Sequence, residues 1–132
     1  MGRKLAGTLL ATLSGHTDRV KSVTWSPDGR RLASAYLDTV RVWDAAKGKH
    51  LENLRRNVHL VRAVAWSPDG SLLASGGEDQ KVYLWDGAKG KHLADLEGHF
   101  KPVLAVAWSF DSHHLASASE DRTVRVWWLG DQ

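Results

Sequence analysis

Three residue types that could together carry out hydrolysis occur in order near the start of the chain: His16, Ser34 and Asp38. A serine hydroxyl, an imidazole base and an orienting carboxylate are the parts of a nucleophilic hydrolase. The same three types return at the same spacing as His99, Ser117 and Asp121. Because an active site normally occurs once, a set that returns along the chain favours a structural role. We keep a Ser/His/Asp hydrolase as a remote alternative.

The seven tryptophans of this 132-residue chain mark an internal repeat of about 42 residues. Two slots of the repeat hold six of them, namely Trp25, Trp66 and Trp108 in the first slot and Trp43, Trp85 and Trp127 in the second. The segment Val-Thr-Trp-Ser-Pro-Asp-Gly at 23–29 returns almost unchanged at 64–70 and in altered form at 106–112. A period of this length indicates that each local motif belongs to a repeating structural unit.

Each period has the pattern of four short strands joined by turns. Residues 20–25 alternate apolar and polar side chains, and 26–29 form a Ser-Pro-Asp-Gly turn. Shorter strands are predicted at 32–35 and 39–43, and a fourth strand at 49–54. The sequence therefore predicts an all-β fold of three four-stranded antiparallel blades.

These repeats resemble the WD40 β-propeller family from Thr8 to Trp128. The pair Gly15-His16, Ser34, Asp38 and Trp43-Asp44 stand where the family places its Gly-His pair, strand serine, turn aspartate and Trp-Asp ending. The resemblance implies a structural hydrogen-bonded tetrad in each blade. Its predicted members are His16, Ser34, Asp38 and Trp43 in blade 1, Asn57, Ser75, Asp79 and Trp85 in blade 2, and His99, Ser117, Asp121 and Trp127 in blade 3.

The sequence departs from the family pattern at three places. In the second repeat, Asn57 occupies the histidine slot, so we expect the weakest network in that blade. The first repeat lacks one residue between Asp38 and Thr39, and Trp128 replaces the terminal aspartate of the third repeat.

Composition and charge exclude several classes of function. The chain is 42% hydrophobic and 25% charged, has no cysteine and carries a net charge of +3. Its histidines do not form a ligand cluster, since His50 and His92 share one repeat slot, so we predict no metal, no cofactor and no catalytic residue. The basic residues are scattered pairs, which does not favour nucleic acid as a partner. No apolar run approaches the ~20 residues of a membrane helix, and the apolar stretch near the start is too short for a secretory signal. Together with the absence of cysteine, this predicts a cytoplasmic protein.

Three blades cannot close a ring, because propellers of this family need about 4–8 blades. The predicted boundaries are 1–13 for an N-terminal strand, 14–54 for blade 1, 55–96 for blade 2 and 97–132 for a blade 3 without its own fourth strand. We expect head-to-tail self-association, with a six-bladed homodimer favoured over a nine-bladed homotrimer. The predicted junction consists of Thr8, Leu9, Leu10, Ala11, Thr12 and Leu13, which complete blade 3 of another copy, together with Trp128 and Leu129.

The leading functional hypothesis is a non-enzymatic scaffold that binds peptides or proteins. The resemblance implies a partner face formed by Arg19, Lys21, Leu37, Leu60, Arg62, Glu78, Pro102, Leu104 and Glu120. An alternative is an excised segment of a larger WD40 signalling or scaffold protein, whose other blades close the ring. The sequence leaves open whether the chain is natural, excised or designed.

Overall fold

The computed structural model describes residues 5–56 and 59–130 and consists of short β-strands joined by turns. The strands are β1 Val20–Trp25, β2 Arg31–Tyr36, β3 Thr39–Asp44, β4 Lys49–Arg55, β5 Val61–Trp66, β6 Leu72–Gly77, β7 Val82–Asp86, β8 His92–Leu96, β9 Val103–Trp108, β10 His114–Ser119 and β11 Val124–Trp128. The all-β prediction is confirmed.

The strands form three antiparallel sheets, each made from consecutive segments of the chain. Two sheets have four strands, in the orders β1-β2-β3-β4 and β5-β6-β7-β8, and the third has three strands, β9, β10 and β11. We call these sheets blades 1, 2 and 3. In blade 3, β11 is an edge strand that pairs with β10 alone among the described strands. The predicted N-terminal strand at 8–13 forms no strand within this single copy.

The turn between the first and second strands of each blade is fixed by side-chain hydrogen bonds. Ser26 Oγ donates to Asp28 Oδ1 at 2.7 Å and accepts from the backbone amide of Arg31 at 2.9 Å. Gly29 has φ 72°, a left-handed conformation that glycine adopts at no steric cost. The second repeat forms the same turn with Ser67, Asp69 and Gly70.

Most of the core lies between blades. Strands β1, β5 and β9 lie side by side, with β5 in the middle. One buried cluster joins blades 1 and 2, and a second joins blades 2 and 3. Blade 2 is thereby covered on both sides, whereas blades 1 and 3 are each covered on one side. Within the described ranges, no helix has the length and apolar character needed to span a membrane.

Candidate interaction surfaces and blade networks

The tetrad of blade 3 is complete. His99 Nδ1 donates to Asp121 Oδ2 at 2.7 Å, and Nε2 then accepts the hydroxyl hydrogen of Ser117 at 2.7 Å. Trp127 Nε1 donates to the same Ser117 Oγ at 2.9 Å. Gly98 precedes His99 because a Cβ there would lie 3.0 Å from the Trp127 ring. The four side chains form one continuous hydrogen-bonded network, in which Ser117 and the side chains of His99 and Asp121 are buried.

The carboxylate of Asp121 is held in its charged form. Burial raises the pKa of Asp121, but hydrogen bonds from the Thr123 hydroxyl, the His99 ring and the backbone amides of Phe100 and Thr123 outweigh burial. The pKa of Asp121 therefore lies well below its usual range. A carboxylate with this many donors organises the turn between β10 and β11.

The network of blade 1 lacks its carboxylate link, which differs from the predicted tetrad. His16 Nε2 lies 2.8 Å from Ser34 Oγ, and Trp43 Nε1 donates to Ser34 Oγ at 2.9 Å. Asp38 instead accepts from the hydroxyl of Thr39 at 2.9 Å. Asp38 also lies 3.6 Å from Arg55 Nε.

The shorter turn of blade 1 explains this difference. Tyr36 pairs with Thr39, so a two-residue turn joins β2 to β3. Leu37 takes the left-handed conformation, with φ 48°. In blade 3 the extra residue Arg122 follows Asp121 and is left-handed, with φ 72°, which lets Asp121 point back at the histidine. The missing residue thus redirects the Asp38 carboxylate.

In blade 2, the aspartate of the predicted tetrad accepts a hydrogen bond from a tyrosine. Asn57 lies outside the described residues, so its predicted place in the tetrad is not described. Trp85 Nε1 donates to Ser75 Oγ at 2.9 Å, and the hydroxyl of Tyr83 donates to Asp79. Burial and the hydrogen bond to Asp79 raise the pKa of Tyr83. Sequence reasoning missed Tyr83, although its slot holds Arg41 and Arg125 in the other repeats.

The remaining histidines are dispersed over the molecule. His50 and His92 contact Asn53 and Asp95, three residues further along their own strands. His113 Nδ1 donates to the Gly130 carbonyl at 2.9 Å. Over residues 5–56 and 59–130, no group of three or more metal-ligating side chains is placed to bind an ion.

Backbone hydrogen bonds bring the predicted partner-face residues together at one rim. The amide of Val61 donates to the Leu37 carbonyl at 2.7 Å and so links blade 2 to blade 1. The Glu78 amide donates to the Leu60 carbonyl at 2.9 Å. In blade 3 the Glu120 amide donates to the Pro102 carbonyl at 3.1 Å. The turn of each blade thereby lies next to the start of an inner strand.

The rim carries charged side chains that lie next to small apolar areas. Arg62 forms an ion pair with Glu78 of its own blade, and its Nη1 lies 3.7 Å from Glu120 Oε2 of blade 3. Leu104 is 41% exposed in the β9 slot that matches Arg62. A depression of about 260 Å³ lies between blades 1 and 2 at this rim, lined by Asp18, Arg19, Lys21, Leu37 and Leu60.

The predicted junction residues are largely exposed in the single copy. Leu9 and Leu10 are 80% and 93% exposed, and Trp128 is 66% exposed. Trp128 and Leu129 border an apolar groove of about 470 Å³ beside β11. The other lining residues of this groove are Leu72, Leu84, Leu93, Ala94, Leu96 and Gly130. The groove was not foreseen from the sequence, because blade 2 supplies one of its walls.

A comparison with known protein families agrees with the repeat pattern, the three blades and the blade 3 tetrad. The profile of the WD domain, G-beta repeat family matches residues 7–44, 48–86 and 90–127. The chain belongs to the WD40 repeat family. The resemblance seen in the sequence is confirmed, and the three sheets are WD40 blades.

Individual WD40 relatives match one part of the chain. It is similar to Gem-associated protein 5 of Mus musculus, with 48% identity over 46 residues, 33% of this chain and 3% of that protein. It is also similar to the small ribosomal subunit protein RACK1z of Arabidopsis thaliana, with 48% identity over 50 residues, 37% of this chain and 15% of that protein. The matched segments thus span a small share of these relatives.

Solved WD40 structures match the arrangement of the blades. The structure of U3-55K has a TM-score of 0.84 and 30% identity, covering 87% of this chain and 37% of that chain. The crystal structure of the RRP9 WD40 repeats gives the same values. This chain therefore spans little more than a third of the length of the solved chains it matches.

Proposed function

We propose that this chain is a non-enzymatic protein-interaction module that binds peptide segments at the rim described above. The observation that carries the proposal is the convergence of residues from all three blades at that rim. Arg62 contacts acidic side chains of blades 2 and 3, while Arg19, Lys21, Leu37 and Leu60 line one depression. A peptide with an apolar side chain next to an acidic residue complements that depression.

The serines of the blade networks are poor candidates for nucleophiles. Ser34 is 4% exposed and Ser117 is 1% exposed, so a substrate carbonyl has no access to either hydroxyl. Each Oγ also accepts a tryptophan N–H, which lowers its availability to attack. These contacts favour a structural role over the Ser/His/Asp hydrolase.

Peptide display tests the proposed rim. A random-peptide library is panned against the chain, and selected peptides are measured against Lys21→Glu and the matched control Lys47→Glu, an exposed lysine in the β3–β4 loop. We expect Lys21→Glu to weaken binding about tenfold and Lys47→Glu to leave it unchanged. Selection of no peptide, or of peptides indifferent to Lys21→Glu, would overturn the rim assignment.

We further infer that the chain self-associates head to tail through residues 8–13. The three family matches begin at residues 7, 48 and 90, so 7–13 takes the position of 48–54 and 90–96, which hold all but the last residue of β4 and all of β8. The corresponding side of β11 carries no strand among the described residues and borders the apolar groove. Residues 8–13 of a second copy supply this strand, giving a six-bladed ring from two copies or a nine-bladed ring from three.

Absolute mass in solution tests self-association. Light scattering behind a sizing column should give a single species at twice the 14.6 kDa of the chain for the dimer, or three times for the trimer. A monomer, or a polydisperse product, would contradict ring closure by this chain. Either result would favour a propeller segment whose other blades come from a longer protein, consistent with the 37% coverage of solved structures.

A further inference from the structure

The two outer blades each expose an apolar face. On blade 1, the leading face consists of Val20, Val23 and Trp25 on β1, which are 48%, 63% and 59% exposed. On blade 3, the trailing face consists of Val124, Val126 and Trp128 on β11, which are 68%, 70% and 66% exposed. Faces of this kind, built from adjacent large apolar side chains, mark interaction sites.

The chain already packs faces of this kind against each other twice. The slots of the leading face recur on β5 and β9, and the first two slots of the trailing face recur on β3 and β7. Between blades 1 and 2, one buried cluster contains Val61, Val64 and Trp66 together with Val40 and Val42. The equivalent cluster between blades 2 and 3 contains Val103, Val82 and Leu84, with Val106 and Trp108 packed against it.

Polar contacts between neighbouring inner strands show how the register is set. Between blades 1 and 2, Thr24 Oγ1 accepts from the backbone amide of Trp66 at 3.3 Å. Between blades 2 and 3, Trp108 Nε1 donates to the Ala65 carbonyl at 2.8 Å. In blade 3, Ala107 occupies the repeat position of Ala65 and is exposed. A blade packed against this side of blade 3 would therefore place its first-slot tryptophan indole at the Ala107 carbonyl, as Trp108 is placed at Ala65.

We propose that the leading face of one copy packs on the trailing face of a second copy. Trp25 of the first copy covers Val126 of the second, and its indole N–H donates to the second copy's Ala107 carbonyl. This inference rests on the proposed self-association and names its principal contact surface. The two faces differ, so the contact is heterologous and continues until the ring closes.

The repeat identifies a second copy as the occupant. The leading face repeats the side of β5 and β9 that packs on the preceding blade. The trailing face repeats the side of β3 and β7 that packs on the following blade, so the two exposed faces are the two halves of one kind of interface. The hydrogen-bond acceptor required by the Trp25 indole is also present, as the Ala107 carbonyl. A second copy therefore accounts for both the apolar surface and the exposed backbone at Ala107.

The proposal is tested by measuring the mass in solution of variants that each disrupt one of the two faces. Trp25→Glu and Val126→Glu each disable one face, and Phe110→Glu is the matched control, because Phe110 is 95% exposed in the β9–β10 turn. We expect both face variants to run as folded monomers by circular dichroism and light scattering, and the control to keep the wild-type mass. An equimolar mixture of the two face variants retains one intact junction and should give a species of twice the monomer mass that grows no further.

Each outcome has a defined meaning. Recovery of a two-chain species on mixing supports the proposal, because a folding defect is not repaired by a second defective copy. Face variants that keep the wild-type mass would overturn the face assignment while leaving self-association intact. Monomeric wild-type protein would overturn both the face assignment and the proposed self-association. The proposed peptide binding at the rim would be unaffected, because peptide display measures it independently.

Disulfide trapping supplies a second test, which measures the formation of a crosslinked dimer instead of the loss of oligomeric mass. Ser22 Oγ accepts from the Val64 amide at 3.2 Å between blades 1 and 2, and the equivalent pair across the proposed junction is Ala105 and Val23. Because the chain has no cysteine, Ala105→Cys and Val23→Cys copies mixed under oxidation should form a crosslinked dimer. Ala105→Cys mixed with Phe110→Cys should not. Equal crosslinking of both mixtures, or none of the first, would overturn the proposal.

Discussion

At the scale of single residues, Ser117 holds the blade 3 network together. Its Oγ contacts His99 Nε2 at 2.7 Å and Trp127 Nε1 at 2.9 Å, and the side chain is 1% exposed. Ser75 in blade 2 accepts from Trp85 at the same distance, but the described residues place no histidine against it. Among the described residues, Ser117 therefore has two such side-chain partners and Ser75 has one.

We predict that Ser117→Ala destabilises the protein more than Ser75→Ala. The first substitution leaves a buried imidazole nitrogen and an indole N–H without partners, each at a cost of about 1–3 kcal/mol. The second leaves one indole N–H without a partner. Chemical denaturation of both variants measures the difference in unfolding free energy. Equal losses, or a loss of hydrolytic activity at unchanged stability, would contradict the structural role.

His16 makes stability depend on pH. Burial and the nearby positive charge of Arg41 lower the pKa of His16 from its ordinary value of 6.5. The unfolded chain then binds this proton more readily, so the contribution of His16 is complete above pH 6.5 and is lost as pH falls through the lowered pKa.

We predict that this part of the acid sensitivity disappears in His16→Gln. Denaturation at about pH 7.5 and about pH 5.5 should show a smaller loss of stability in the variant than in the wild type. Titration of the His16 ring by NMR provides the direct check. A His16 pKa at or above 6.5 would show that the sign is wrong.

At the scale of elements, the turn between the second and third strands of a blade sets the direction of the tetrad aspartate in blades 1 and 3. The two-residue turn of blade 1 directs Asp38 to Thr39 and Arg55, whereas the longer turn of blade 3 directs Asp121 to His99. The strands themselves keep the same pairing on either side. Turn length therefore acts on the network without altering the sheet.

We predict that inserting an arginine between Asp38 and Thr39 completes the blade 1 network. The longer turn should let Asp38 accept from His16 Nδ1, as Asp121 does from His99, and should raise the His16 pKa. The expected gain in unfolding free energy is on the order of 1 kcal/mol. The same insertion with Asp38→Asn is the control, and an equal gain in both would assign the effect to the turn backbone alone.

At the scale of the whole molecule, stability and assembly depend on covering the two outer blades. Burying a large apolar side chain contributes about 1.5–3 kcal/mol, and the leading and trailing faces each hold three that are mostly in water. Blade 2 has both faces covered and holds 11 of the 20 buried hydrophobic residues of the described chain. Closing a ring would give blades 1 and 3 the same environment.

We predict that deleting residues 1–13 shifts the assembly toward open oligomers or aggregate. The deletion removes the segment proposed to pair with β11, and so leaves that edge free to pair with other chains. Deleting residues 1–6 is the matched control, because the family match begins at residue 7. A compact particle with an unchanged number of copies after the longer deletion would refute strand exchange. It would leave the packing of the two faces intact.

The three blades are predictable from the amino-acid sequence. Tryptophans and turn residues recur at a fixed period, and alternation specifies the buried face of each strand, so local signals repeated three times agree with the sheets observed. The sequence shows that a residue is missing after Asp38, but only the folded turn, with Leu37 in the left-handed conformation, shows that the Asp38 carboxylate points away from His16. The tertiary structure also revealed Tyr83 as the donor to Asp79 and the opposite exposure of Trp25 and Trp66, which occupy the same slot. Equivalent residues differ in these respects because hydrogen bonding and burial depend on what lies across the blade interface, and a repeat pattern does not record which neighbours are present.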